Sequence, residues 1–95
     1  MEIVKIDVMF RRDKANEVLA VFPYDISDSK GHCSCYAHLG QHGGCSWDYV
    51  MTRTVPAKEY SELQRELESI GYELNIVKRR NYDRYLKAYH EQISI

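Results

Sequence analysis

The hydrophobic pattern of this chain changes its period at Pro56. Before it, apolar residues fall in short runs or at every second position. After it, they recur every third or fourth. In EIVKIDVMF, Val4, Ile6, Val8 and Phe10 alternate with Lys5, Asp7 and Met9, the spacing of a strand. Beyond Pro56, Tyr60, Leu63, Leu67 and Ile70 follow one another at intervals of 3, 4 and 3 residues, which sets them along one stripe of a helix. Strands that come first and a helix that comes after favour an antiparallel sheet with a helix laid on one face.

The strand region divides further. RRDKAN is polar and turn-forming, and EVLAVFP is a second apolar run ended by Pro23, so the two runs predict a hairpin. YDISDSKG reads as a loop. From Cys33 the alternation resumes, with Cys33, Cys35, Ala37 and Leu39 on one face and Ser34, Tyr36 and His38 on the other. GQHGG reads as a turn or bulge. WDYVMTRTV is then a fourth strand with Trp47, Tyr49, Met51 and Arg53 on one side.

Pro56 suits the first turn of the helix, and Gly71 suits a left-handed C-terminal cap with Tyr72 folding back on it. YELNIVKRR is a fifth strand. Asn81 is placed to cap a second helix, NYDRYLKAYHEQ, whose Tyr82, Tyr85, Leu86 and Tyr89 share a face. The expected class is α+β: an antiparallel sheet of about five strands in the order ββββαβα, one long helix on one face, and a short C-terminal helix. Residues 1–95 are expected to form one domain.

Composition excludes some functions. The net charge is −1, so the chain as a whole does not attract polyanions. Residues 1–70 carry 8 basic and 11 acidic side chains and residues 71–95 carry 5 and 3. The surplus is the segment of Lys78, Arg79, Arg80, Arg84 and Lys87, interleaved with tyrosine as in nucleic-acid binders. A solvated helix face beside a tyrosine seam explains the same pattern. No apolar run reaches membrane-spanning length and no charged-then-apolar leader is present, so a cytoplasmic protein without membrane contact is expected. Eight tyrosines against two phenylalanines suit a binding surface.

All three cysteines and three of four histidines lie in HCSCYAHLGQHGGC, residues 32–45. On paper this offers zinc a Cys3His or Cys2His2 set. The strand reading opposes it, because Cys33 and Cys35 then face away from His38, and no C-x2-C pair is present. Cysteine behaves as a small buried hydrophobe, and we expect that role here, with no metal and no other cofactor. A nucleophilic Cys45 beside His42 is the enzymatic alternative. It lacks a supporting motif, so no catalytic residue is assigned and a non-enzyme is expected.

The order YAHLGQHGG, MTRTVPAKEYSELQRELESIGYELNIVKR, with VLAVFP before them, resembles an uncharacterised family of short proteins of bacteriophages, plasmids and bacterial mobile elements. Its pattern is Y-x-H-x-G-Q-H-G, then R-x-T-x-P-A, E-Y-x-x-L and I-G-Y-x-L-x-V-x-K-R. The likeness spans residues 18–79 and rests on Tyr36, His38, Gly40, Gln41, His42, Gly43, Arg53, Thr54, Pro56, Ala57, Tyr60 and Gly71. Cys35 and Cys45 fall where that pattern tolerates other residues. The chain is shorter by a residue or two before Glu59 and adds the C-terminal aromatic helix.

The resemblance implies a non-catalytic protein-interaction module. Its sharpest form is an inhibitor of a host defence enzyme, anti-CRISPR-like, that occupies the enzyme's surface. The partner is then a host or phage protein, with a nuclease effector among the candidates. The expected binding residues are Tyr36, His38, Gln41, His42, Trp47, Tyr49, Lys78, Arg79, Arg80 and Arg84. His38, Gln41 and His42 are expected as a polar cluster on the sheet face opposite the helix. The alternatives are a nucleic-acid-binding accessory protein that uses the basic-aromatic segment, and a zinc-stabilised Cys/His module.

Overall fold

The computed structural model describes residues 5–37, 41–45, 47 and 50–93, with the backbone alone described at 41, 42 and 50–53. Among the described residues six strands form one sheet: β1 (Ile6–Asp13), β2 (Val18–Ile26), β3 (Cys33–Ala37), β4 (Gln41–Cys45), β5 (Val50–Thr54) and β6 (Leu74–Ile76). Two helices, α1 (Ala57–Ser69) and α2 (Tyr82–Ile93), complete the α+β domain. Five strands run β4-β3-β2-β1-β5, each antiparallel to its neighbour. β6 adds parallel to β1, with Ile6 opposite Leu74 and Val8 opposite Ile76. β5 uses the other end of the same β1 edge, opposite Arg11 and Asp13.

The two helices cover opposite faces of the sheet. Val8, Phe10, Ala20, Phe22 and Tyr36 pack with Leu63 and Leu67 of α1. Met9, Leu19 and Val21 pack with Tyr85 and Ala88 of α2. The two central strands are therefore buried on both sides. That is why EVLAVFP is a continuous apolar run rather than an alternating one.

Several expected boundaries move. β1 runs on through Arg11, Arg12 and Asp13, and the turn shrinks to 14–16, where Asn16 takes φ 66. β2 continues past Pro23 to Ile26 with a register shift against β3 between Phe22 and Ile26. A proline can sit in a strand where the ladder is interrupted. The described part of GQHGG, Gln41 to Gly44, is not a turn. Gln41–Cys45 pairs residue for residue with Cys33–Ala37, Cys33 opposite Cys45 and Ala37 opposite Gln41. Gly44 fits close packing, since a Cβ there would crowd the Ser27 hydroxyl, whereas a Cβ on Gly43 would meet open space. The expected fourth strand starts later, at Val50, and leaves Trp47 in a turn. The sheet therefore has one strand more than expected, and β6 is parallel to its neighbour.

The helix caps follow the sequence closely. Gly71 takes φ 111, its amide donates to Glu68 O at 3.2 Å, and the Tyr72 amide donates to Leu67 O at 3.1 Å. That pair of bonds satisfies carbonyls the helix would otherwise leave open. Ile70 is the exception to the expected stripe. It is the C-cap residue and is 53% exposed, because the helix ends before its side chain can turn inward. At α2, the Asn81 side chain accepts from the Arg84 amide at 3.0 Å. Tyr82 is 57% exposed, so the buried face of α2 is Tyr85 and Ala88 flanked by Leu86 and Tyr89.

Polar bonds dock α2 as much as apolar contact does. Tyr85 donates to Gly31 O at 2.7 Å, and Tyr89 donates to Ser29 O at 2.6 Å. Gln92 accepts from the Ile26 amide and donates to Tyr24 O, both at 2.8 Å. Gly31 has φ 84, and a Cβ there would run into the Tyr85 hydroxyl.

Two substitutions test this packing by chemical denaturation. Leu67→Ala empties a fully buried position under α1 and is expected to destabilise by about 2–5 kcal/mol. Gly31→Ala combines backbone strain with a clash on α2 and is expected to cost about 1–3 kcal/mol.

Candidate functional site

At the irregular end of β2 the sheet opens into a groove of about 740 Å³. It runs across the strands, from Gly43 of β4 past Ser34 and Cys35 of β3 and Phe22 of β2 to Ile6 of β1. Neighbouring strands lie about 4.8 Å apart, so four of them span roughly 15 Å. Tyr72 closes the far end, stacked on Phe22 with centroids 5.5 Å apart and planes 21° apart.

The register shift in β2 builds one wall. Released from the ladder, Tyr24 and Asp25 line the groove. Tyr24 is held from both ends: its carbonyl by Gln92, and its hydroxyl by the Asn81 amide at 2.7 Å. Arg84 reaches in from α2, with its guanidinium 4.3 Å from the Tyr24 ring centroid and 3.1 Å from Asp7 Oδ2. Asp7 also accepts from Asn75 Nδ2 at 2.7 Å. The lining therefore offers aromatic faces and both signs of charge, with Lys5 and Arg84 against Asp7 and Asp25.

The expected binding residues do not meet in one place. His38 and Tyr49, and the side chains of Gln41 and His42, lie outside the described residues. The polar cluster drawn from them lies outside the description with them. Tyr36 is corrected from a binding residue to a core one. It is 2% exposed beneath α1, with its hydroxyl on Glu66. Trp47 is half-buried against α2, edge-on to Tyr85 at 6.0 Å.

The basic segment is taken apart by the fold. Arg80 is drawn inward, its guanidinium 3.9 Å from the Trp47 ring centroid and 4.3 Å from that of Tyr85. A cation over two aromatic faces is a stabilising contact, and here it pins the turn before α2. Arg84 serves the groove. Lys87 faces Glu91 one turn on, at 3.9 Å. Lys78 and Arg79 are exposed at the other end of β6.

The three cysteines share the face covered by α2, as the alternation of β3 requires. Cys33 is fully buried and donates to Pro23 O at 3.4 Å. Burial pushes its thiol up to about 11, against the opposing pull of the Arg80 charge. Cys45 lies against Cys35. A hydrogen bond from the Cys45 thiol holds the Cys35 thiol below its ordinary range, and the same bond, with burial, raises Cys45. Cys45, the expected candidate nucleophile of an enzymatic reading, is thus kept as a neutral thiol. Cys35 is half-buried and opens on the groove. Among the described residues no three His, Cys, Asp or Glu side chains converge on a metal-sized site.

The residues that build the groove escaped the sequence reading, apart from Arg84. Tyr24 and Asp25 looked like loop residues, and Phe22 and Tyr72 like core. The available signal was Pro23, which interrupts an otherwise continuous strand.

Iodoacetamide at pH 7.5 should alkylate the folded protein once, at Cys35, with Cys33 and Cys45 protected until unfolding. Intact mass and peptide mapping check this, and Cys35→Ser should abolish the single adduct.

Among the described residues no helix is long and apolar enough to cross a membrane. No protein family, no curated protein and no solved structure matches the chain, so its own residues carry the functional argument.

Proposed function

We propose that this protein is a non-catalytic interaction module and that its groove receives an extended segment of a partner protein. The mixed lining of the groove carries this reading. Aromatic faces from Phe22, Tyr24 and Tyr72 give area for side chains. Lys5 and Arg84 on one hand, and Asp7 and Asp25 on the other, suit the alternating charges of a peptide. A length of roughly 15 Å takes four or five extended residues at about 3.3 Å each.

The same lining disfavours a nucleic-acid strand, since Asp7 and Asp25 repel phosphates. Arg80 and Arg84 also have internal partners. In the narrower form that the resemblance implies, the partner is a host defence enzyme, a CRISPR nuclease effector for instance, and occupation of its surface inhibits it. A nuclease assay with and without equimolar protein tests that form.

Selection from a random displayed peptide library tests the general form. Enriched peptides should bind the wild type and lose at least tenfold in affinity to the Lys5→Glu/Asp25→Lys variant. Both side chains are exposed, so the fold should persist by circular dichroism. Random single-stranded DNA should bind more weakly than micromolar at physiological salt. No enriched peptide, or enriched peptides indifferent to the variant, would sink the reading. Micromolar DNA binding would favour the nucleic-acid alternative.

A further inference from the structure

The three thiols gathered on the sheet face under α2 are not equivalent. The β3–β4 ladder sets Cys33 directly opposite Cys45 and Cys35 opposite Gly43. Cys45 is therefore the diagonal neighbour of Cys35 on one face, and the two sulfurs are joined by a hydrogen bond. Cys45 Sγ also lies 3.6 Å from the Cys33 carbonyl oxygen. The Cys33 thiol has partners of its own, the carbonyls of Pro23 at 3.4 Å and Gly31 at 3.9 Å. The fold thus presents one pair of sulfurs in contact and a third that is engaged elsewhere.

Access separates them as well. Cys33 and Cys45 are buried, whereas Cys35 is half-buried and lines the groove, so a small reagent can reach it. The bond from Cys45 lowers the Cys35 pKa to about 7, against the opposing effects of burial and the Asp13 carboxylate. Such a thiol is partly thiolate at neutral pH, and the thiolate is the nucleophile. Reversibly oxidised cysteines combine these properties: a low pKa, an open approach and a second thiol alongside. Diagonal positions lie about 7–8 Å apart between Cα atoms, just above the usual disulfide span. Among the described residues β4 is the outermost strand and pairs with β3 alone. A small shift of β4 toward β3 therefore closes the remaining gap.

We propose that Cys35 is a peroxide-reactive thiol and Cys45 its resolving partner, so that a hydroperoxide converts the pair to a Cys35–Cys45 disulfide and leaves Cys33 reduced. In the first step the Cys35 thiolate attacks the terminal oxygen of the hydroperoxide. An S–O bond forms, the O–O bond breaks, and the alkoxide takes a proton and leaves as an alcohol (water, for hydrogen peroxide). Cys35 is then a sulfenic acid. In the second step the Cys45 sulfur attacks the Cys35 sulfur. The S–S bond forms, the S–O bond breaks, and the hydroxyl leaves as water with the Cys45 proton. The two thiols together lose one electron pair, and the peroxide gains it. The bond to Cys35 and the charge on it help to hold the proton on Cys45, and conversion of Cys35 to a neutral sulfenic acid removes that restraint. Because Cys35 lines the groove, its oxidation alters the groove wall whatever the groove receives.

Treatment of the folded protein with hydrogen peroxide at neutral pH, then unfolding, alkylation with iodoacetamide and intact mass measurement, tests the pair. The wild type should lose the mass of two hydrogens, and its alkylated thiols should fall from three to one. Dithiothreitol should restore all three. Chymotrypsin cuts after Tyr36 and Leu39 and so separates Cys45 from the other two cysteines. Fragmentation of the linked product should place the bridge on Cys35. Cys33→Ala should still close the bridge and keep no free thiol. Cys45→Ser should stop at the sulfenic acid, heavier by one oxygen and captured by dimedone. Cys35→Ser should oxidise roughly tenfold more slowly than the wild type. Should a variant fail to fold, the wild-type mass and peptide map decide. The proposal fails if the wild type forms no intramolecular disulfide or if the bridge includes Cys33. It also fails if Cys45→Ser still forms a bridge, or if Cys35→Ser oxidises as fast as the wild type.

Discussion

The rest of this structure depends on how the backbone of β2 is satisfied after it leaves its ladder at Pro23. Buried amides and carbonyls must find partners, and proline removes one donor from the strand. α2 supplies what β3 no longer does. Gln92 bonds the Ile26 amide and the Tyr24 carbonyl, and Tyr85 and Tyr89 bond the carbonyls of Gly31 and Ser29 in the following loop. The C-terminal helix is thereby docked on the very segment that is irregular. The groove is the space this arrangement leaves open, walled by Tyr24 and Asp25 from the interrupted strand and by Arg84 from the helix that repairs it.

The arginines show how differently one side chain is used within a small fold. Arg80 is enclosed by Trp47 and Tyr85 and acts as packing. Arg84 is exposed but aligned, by stacking on Tyr24 and pairing with Asp7. Arg11 is buried with carbonyls for partners and, among the described residues, no acid. Guanidinium planarity and its several donors permit all three roles. Position in the tertiary structure selects among them.

Much of the fold was legible in the chain. The switch from strand to helix at Pro56, the left-handed cap at Gly71, the Asn81 cap and the shared face of Cys33 and Cys35, of which only Cys33 is buried, all arise from local chemistry. The errors share a cause. Ile70 and Tyr82 have the right spacing for their stripes but sit at helix ends, where exposure depends on how far the helix extends over the sheet. GQHGG has turn composition, yet the backbone from Gln41 onward completes a ladder with β3, because pairing with a neighbouring strand outweighs a weak local preference.

The candidate site was far less legible. Lys78 to Lys87 read as one basic stretch, but Arg80 goes to a cage with Trp47, Arg84 to the groove, and Lys78 and Arg79 to the surface. Sequence alone determined most of the element types, the Gly71 and Asn81 caps and the central positions of the helix faces, since those depend on residues within a few positions of one another. Tertiary structure alone decided the sixth strand, the parallel pairing of β6, the groove and the partners of Arg11, Arg80 and Arg84. Those depend on which distant backbone segments come within hydrogen-bonding reach, and local spacing carries no record of that.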